Sequence, residues 1–506
     1  MRKVLSLLMV LSATAMVAQG HAIKINLKGA KDTMVYLVKY TWDQQYIADT
    51  CKTVKNGEIV FKGKNELDKG VYILVSEAKS VYFDLFVNES QKFSISADVA
   101  DIANSLKSDS KENQDFFTYI KFITGKNKDF GKYRSETAGM NSKDSAAYMT
   151  KKLGELNDEV KKFEADFMNR VKGTFVYDVL NLKMEKEPKE VPKASNNRPD
   201  SIYSYYYYRN HFFDGVNFKD ERIIRTPFFD DRVKRYFDQV ILSHPDTIIS
   251  EIDKMMAKCT EGNLVYNLLL GYFTYKYEQS KIMGFDKVFV HVADKYVISG
   301  HAKEVYTDET VQKIKERVDI MRNLLLDAKV SDLYVIDTTD GAKVRKMGFD
   351  TAVTVDGITK LYNKNVDALN MMFKTLYNVQ AKYTVLVFWA VDCGHCKTEI
   401  PKLNQELHKL KTDIDFKVFA VQTKDELYND WKKFIVNEKL GDFIHVYDPV
   451  HINDLKNRFD IYSTPVIYIL DKDKRIKAKR VSSEQVPDLL KTFEEMDKRL
   501  KEQKTK

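Results

Sequence analysis

The run Tyr383-Thr-Val-Leu-Val-Phe-Trp-Ala-Val-Asp-Cys393-Gly-His-Cys396-Lys-Thr-Glu399-Ile-Pro401 reads as a buried strand that passes directly into a helix, with two cysteines at the junction. From Val385 to Ala390 the residues are almost all apolar or β-branched, which suits a central strand covered on both faces. Beyond the cysteines, Ile400, Leu403, Leu407 and Leu410 recur at helical spacing. The pair therefore falls at a helix start, where free backbone N–H groups and the macrodipole favour an anion and lower a thiol's pKa. Their i, i+3 spacing puts both sulfurs on one face of the first turn. That is the geometry of a dithiol able to close into a small disulfide and reopen.

The rest of the chain sets the frame. A length of 506 residues exceeds one core and predicts several domains. An apolar fraction of 44% marks a folded protein. The 81 Lys and Arg against 73 Asp and Glu leave a net charge of +8 with both signs intermixed, which calls for no nucleic-acid partner. Arg2 and Lys3 ahead of the apolar run Val4 to Val17, followed by Ala18-Gln-Gly20-His-Ala22, predict a signal peptide over 1–22, cleaved after Gly20 or Ala22. The run is shorter than the roughly 20 residues a span requires, and no later segment would cross a membrane once the signal is removed. Of four cysteines, Cys51 and Cys259 are isolated and read as small buried hydrophobes rather than a bridge. The nine histidines show no metal-ligand spacing.

In chain order, 23–110 alternates apolar and polar residues in short runs, with a hairpin signal at Asn56-Gly57, and predicts an antiparallel β-sandwich-like domain. Region 111–330 carries helical spacing and predicts an all-α domain, interrupted by a proline-containing loop over 187–199. Its run Tyr203-Ser-Tyr-Tyr-Tyr-Tyr-Arg-Asn-His-Phe-Phe reads as an aromatic helix packed inside that domain. Region 331–506 returns to β signals at Leu333–Asp337 and Thr351–Val355, with a turn at Asp356-Gly357 and a helix over Val366–Leu376. Strands at Phe416–Val421, Phe443–Tyr447, Val466–Leu470 and Ile476–Val481 then alternate with helices, and a last helix starts at Ser483. The order predicts an α/β layer fold around a mixed sheet.

Phe388-Trp389-Ala390 ahead of Cys393-Gly-His-Cys396, with Pro401 five residues past the second cysteine, resembles the thioredoxin-fold disulfide oxidoreductases. Tyr462-Ser-Thr-Pro465 before Val466-Ile-Tyr-Ile-Leu is similar to their cis-proline loop, and Glu399 to the glutamate of the TlpA/ResA-type exported thiol reductases. The two front regions resemble the β and helical modules that precede such domains in exported Bacteroidetes proteins. The resemblance implies a redox-active dithiol with no other cofactor and no metal. It also implies a periplasmic or cell-envelope location in a Gram-negative bacterium, with client proteins and a thiol electron donor as partners.

In that frame Cys393 is the expected attacking thiolate and Cys396 the resolving thiol. Glu399, one turn on, would accept the Cys396 proton. Pro465, with Thr464 and Trp389, would meet an extended substrate strand. The potential would be tuned by Gly394, by His395, which favours the thiolate, and by Asp392, whose carboxylate opposes it. Val387 stands where thioredoxin carries a buried acid. The Glu399 pattern predicts a reductase. Cys-Gly-His-Cys keeps an oxidase or isomerase as the alternative, and a binding protein acting through residues 23–330 is the competing class.

Overall fold

The structure is a computed structural model and describes residues 20–31, 33–410 and 413–504. The signal peptide expected over 1–22 lies, up to residue 19, outside them. The chain forms two compact units, Met1–Ser243 with Asp253–Leu268 and His244–Ile252 with Leu269–Lys506, so the helical stretch is shared between them.

In the first unit, strands β1 (Ala22–Lys28), β2 (Val35–Thr41), β3 (Gln44–Cys51), β4 (Glu58–Lys62), β5 (Gly70–Ser76), β6 (Val81–Val87), β7 (Lys92–Asp98) and β8 (Lys107–Ser108) make two four-stranded sheets, ordered β4-β1-β7-β8 and β3-β2-β5-β6. Alternation decides the faces: Ile23, Ile25 and Leu27 are buried while Lys24, Asn26 and Lys28 face outward. The hairpin signal appears as a tight turn, with Asn56 and Gly57 both at positive φ and the Glu58 N–H donating to the Lys55 carbonyl over 2.9 Å. One pairing departs from the antiparallel expectation, since β1 and β7 run parallel.

The core of these sheets continues into helices. Phe116 and Phe117 of the helix Lys111–Glu136 and Phe175 of the helix Phe175–Lys183 belong to the same buried cluster as Phe83 and Phe86. The side chain of Asn113 pairs with both backbone groups of Phe86, at 2.8 and 2.9 Å. The tyrosine run forms the helix Ser201–His211, capped by Asp200, but none of its residues is buried and Tyr206 is 51% exposed. The packed aromatic helix expected there is thus corrected for its tyrosines, whose rings lie along one another (Tyr207 on His211 at 4.2 Å), while Phe212 just past the helix is fully buried against Tyr236 at 5.2 Å.

The second unit holds a seven-stranded sheet of β9 (Tyr334–Asp337), β10 (Lys374–Thr375), β11 (Tyr383–Trp389), β12 (Phe416–Gln422), β13 (Ile444–Tyr447), β14 (Val466–Asp471) and β15 (Ile476–Lys479), ordered β10-β9-β13-β12-β11-β14-β15. Every residue of β11 is buried. Val385, Val387 and Trp389 face one core with Ile400, Leu403 and Leu407 of the helix Gly394–His408, whereas Leu386 and Phe388 face a second core with Leu324, Leu333 and Phe459. This two-sided burial is why the strand is apolar throughout.

Thr351–Val355 is not a strand. Thr354 caps the helix Val355–Met372, its hydroxyl accepting the Gly357 N–H at 3.1 Å, so Asp356 and Gly357 lie in a first turn rather than in a hairpin. Val353 and Val355 are 91% and 84% exposed, which removes the packing that gives β-branched residues their strand preference. The described residues include no helix long and apolar enough to cross a membrane.

Candidate functional site

Register brings the site together. β14 runs antiparallel to β11, pairing Val466 with Phe388, so the residues entering β14 meet those leaving β11. β12 runs parallel, pairing Gln422 with Trp389, and the Thr423 N–H donates to the Trp389 carbonyl at 2.9 Å. Lys424 consequently arrives beside Asp392, and Thr464 beside Cys393. Together with Ala390 and Tyr462 these residues line a cleft of about 470 Å³.

Cys393 is the N-cap of the helix Gly394–His408, its sulfur accepting the Cys396 backbone N–H at 3.3 Å. As a thiol it also donates to the Thr464 carbonyl at 3.2 Å. Partial burial opposes its ionisation. Hydrogen bonds with the Cys396 and Thr464 side chains and with the Cys396 and His395 backbone N–H groups outweigh that, so its pKa lies below the ordinary thiol value. Cys396 is fully buried, and burial with its bond to Cys393 pushes its pKa up to about 12. One sulfur is reachable and acidic; the other is hidden and protonated.

The remaining predicted residues fall as follows. The Thr464–Pro465 peptide is cis. Gly394 and His395 are exposed, and His395 contributes its backbone N–H to the thiol. Asp392 does not stand as an unopposed carboxylate, because Lys424 Nζ lies 2.5 Å from its Oδ2. Glu399 is half-buried and accepts a hydrogen bond from the hydroxyl of Ser483, which is 1% exposed. Val387 is fully buried.

Trp389 is corrected. It is also fully buried, with its ring against Phe434 at 5.6 Å and His445 at 6.5 Å, and presents nothing to a substrate. The alternation of β11 turns it under the sheet, away from the cleft. Lys424 and Ser483 are the residues that sequence reasoning missed. The usable signal for Lys424 is its place two residues beyond a strand parallel to the cysteine strand. Cys51 and Cys259 are free thiols; burial raises the Cys259 pKa to about 12.

Three family models match the chain. Residues 364–479 match the AhpC/TSA family, and residues 21–116 and 149–323 match two domains of unknown function, DUF4369 and DUF5106. Among solved structures, a domain of a possible thiol-disulfide isomerase from Cytophaga hutchinsonii is 36% identical, with 34% of this chain and 96% of that one covered and a TM-score of 0.26. A thioredoxin-like protein from Bacteroides caccae is 18% identical over 60% of this chain and 98% of its own, with a TM-score of 0.41. The thioredoxin domain of a thiol-disulfide oxidoreductase from Bacteroides vulgatus is 19% identical over 33% and 97%, with a TM-score of 0.25. The comparison with curated proteins gave no match.

Proposed function

Since the chain belongs, through its C-terminal domain, to the thioredoxin-like thiol–disulfide oxidoreductases, we propose that Cys393 and Cys396 exchange disulfides with exported proteins, in the reducing direction. The observation that carries this reading is the asymmetry of the two thiols at one helix start: Cys393 caps the helix and lines a cleft, accepting the Cys396 N–H, whereas Cys396 is fully buried.

The cycle follows from that asymmetry. The Cys393 thiolate attacks one sulfur of a client disulfide, forming a mixed disulfide and releasing the other client sulfur as a thiolate that takes a proton. Cys396 then gives up its proton, with Glu399 as the acceptor, and attacks the Cys393 sulfur. The client leaves with two thiols, and the protein holds a Cys393–Cys396 disulfide. Two electrons have passed to the client, and a thiol donor of the cell envelope restores the dithiol. Thr464, whose carbonyl lies against Cys393, is suited to pair with the client backbone in this step. The reducing direction rests on Glu399, half-buried and one turn beyond Cys396. Export fits the buried place of His21, whose Nε2 lies 2.9 Å from Asp49: cleavage after Gly20 leaves that contact and β1 whole.

Replacing the resolving thiol tests the exchange. Cys396→Ser should accumulate mixed disulfides through Cys393 in cells, and recovery of none would sink the reading. A titration of the pair sets direction: a potential near the reducing end of known pairs, about −270 mV, is expected, whereas one near about −120 mV would assign an oxidase.

A further inference from the structure

Asp392 is the residue least suited to its place. A carboxylate immediately before the attacking cysteine raises the cost of a thiolate, since like charges a few ångströms apart oppose each other. The groups that face Cys393 are few. Cys396 lies beneath it, His395 follows it in the first turn, and Asp392 precedes it. Thr464 approaches from the entry to β14, Lys424 from the end of β12, and Lys456 lines the same cleft. Of these, Lys424 is the cation bonded to the offending carboxylate, at 2.5 Å.

We propose that Lys424 is a positioning residue that sets the acidity of Cys393: it holds the Asp392 carboxylate in an ion pair and places a positive charge at the mouth of the cleft. The inference rests on the exchange reading only in taking Cys393 as the attacking thiol. Its geometric basis is the parallel register of β11 and β12, which fixes where the Lys424 backbone emerges whatever its side chain does. The coupling also runs the other way: the Asp392 bond first, then the charges of Asp392, Glu426 and last Cys393, raise the Lys424 ammonium pKa against the opposing effect of burial. Both partners are about half exposed, so the pair adds little to stability; its effect falls on the Cys393 sulfur, which lines the same cleft.

The consequence for exchange is two-sided. A more acidic Cys393 is more fully ionised at neutral pH, and it is also the better leaving group in the restoring step, when a second donor thiol attacks the donor sulfur of the donor–Cys393 mixed disulfide and releases the Cys393 thiolate. Loss of Lys424 weakens both, while each thiolate that does form is somewhat more nucleophilic, so turnover moves less than acidity. The direct readout is therefore the pH profile of the thiol.

In the full chain, the rate of iodoacetamide alkylation at Cys393, located by mass mapping against the other three cysteines, gives its ionisation midpoint. Lys424→Gln should raise that midpoint by roughly half a unit or more, about a threefold loss of thiolate below it. Lys424→Arg should restore it, and Asp392→Asn should move it downward. A Lys424→Gln midpoint within about 0.2 units of the parent would overturn the proposal, as would failure of arginine to rescue. Because alkylation needs no client, the two readings separate. An intact Lys424 shift with no mixed disulfides from Cys396→Ser would support the tuning role and end the exchange function.

Discussion

Position, rather than residue type, makes the two site cysteines unlike: Cys393 caps a helix and accepts its N–H groups, whereas Cys396, three residues on, is turned under that helix with no exposure. The same logic applies to His445, on the sheet behind the site. It is 6% exposed, its Nε2–H donates to the Leu440 carbonyl at 2.8 Å, and its Nδ1 has no partner among the described residues. Burial lowers its pKa to about 4. The folded state therefore holds this ring neutral, while the unfolded chain protonates it near the ordinary imidazole value of 6.5. Its contribution is complete above that value and is lost as the pH falls toward 4. Between pH 7.5 and about pH 4.5 the loss is about 2–3 kcal/mol. His445→Gln should lose that much less over the same interval. Urea unfolding followed by tryptophan fluorescence reads it, since the rings of Trp389 and Trp431 lie 6.5 and 6.3 Å from His445. Equal acid sensitivity in the two proteins would contradict the assignment.

At the scale of elements, the helix Val355–Met372 starts where β-branched residues suggest a strand, and one hydroxyl accounts for the start. Thr354→Ala should destabilise the second unit by about 1 kcal/mol, with Thr354→Ser close to the parent; equal losses would mean that the cap contributes nothing. That helix also marks what the sequence makes legible. β11 is plain from its residues because both of its faces are buried, and the cysteine helix because Ile400, Leu403 and Leu407 face one core. Thr351–Val355 misleads because composition reports β preference but not exposure. The tyrosine run misleads in the opposite way, since its aromatic residues suggest a core that only Phe212, just past the helix, enters. At the site, the cysteines, Glu399 and Pro465 form local motifs that can be read directly. Trp389 belongs to the same motif, but its burial depends on the phase of the strand against its neighbours. Lys424 meets Asp392 across 32 residues, and Ser483 meets Glu399 across 84, so neither partner leaves a local trace.

For the molecule as a whole, the second core of the redox-site unit does not end at the boundary that composition suggests near residue 330. Leu324 and Val330 are buried with Leu333, Phe388 and Phe459. The Asp327 N–H donates to the Ile476 carbonyl at 2.8 Å, and the Val330 N–H to the Lys474 carbonyl at 3.0 Å, so this segment covers the edge of β15. Further back, the helix Asp308–Arg322 sends Arg317 to Asp460, with Nη2 and Oδ2 3.0 Å apart; the Asp460 carboxylate is 5% exposed and also binds Arg480. Asp460 lies four residues before Thr464, so the helical segment braces the loop that faces Cys393. A chain of residues 331–506 keeps both cysteines and the whole sheet but loses Arg317, Leu324 and the edge cover. Burial of Leu324 and Val330 is worth about 2 kcal/mol each, and breaking one partner from a buried ion pair costs about 3 kcal/mol or more, less here because Arg480 remains. Residues 300–506, which retain these contacts, should therefore unfold at a urea concentration higher by about 2 M than residues 331–506, for a slope of about 2 kcal/mol/M. Coincident midpoints would show that the redox domain ends where composition places it, and that the preceding helices are passengers on the sheet.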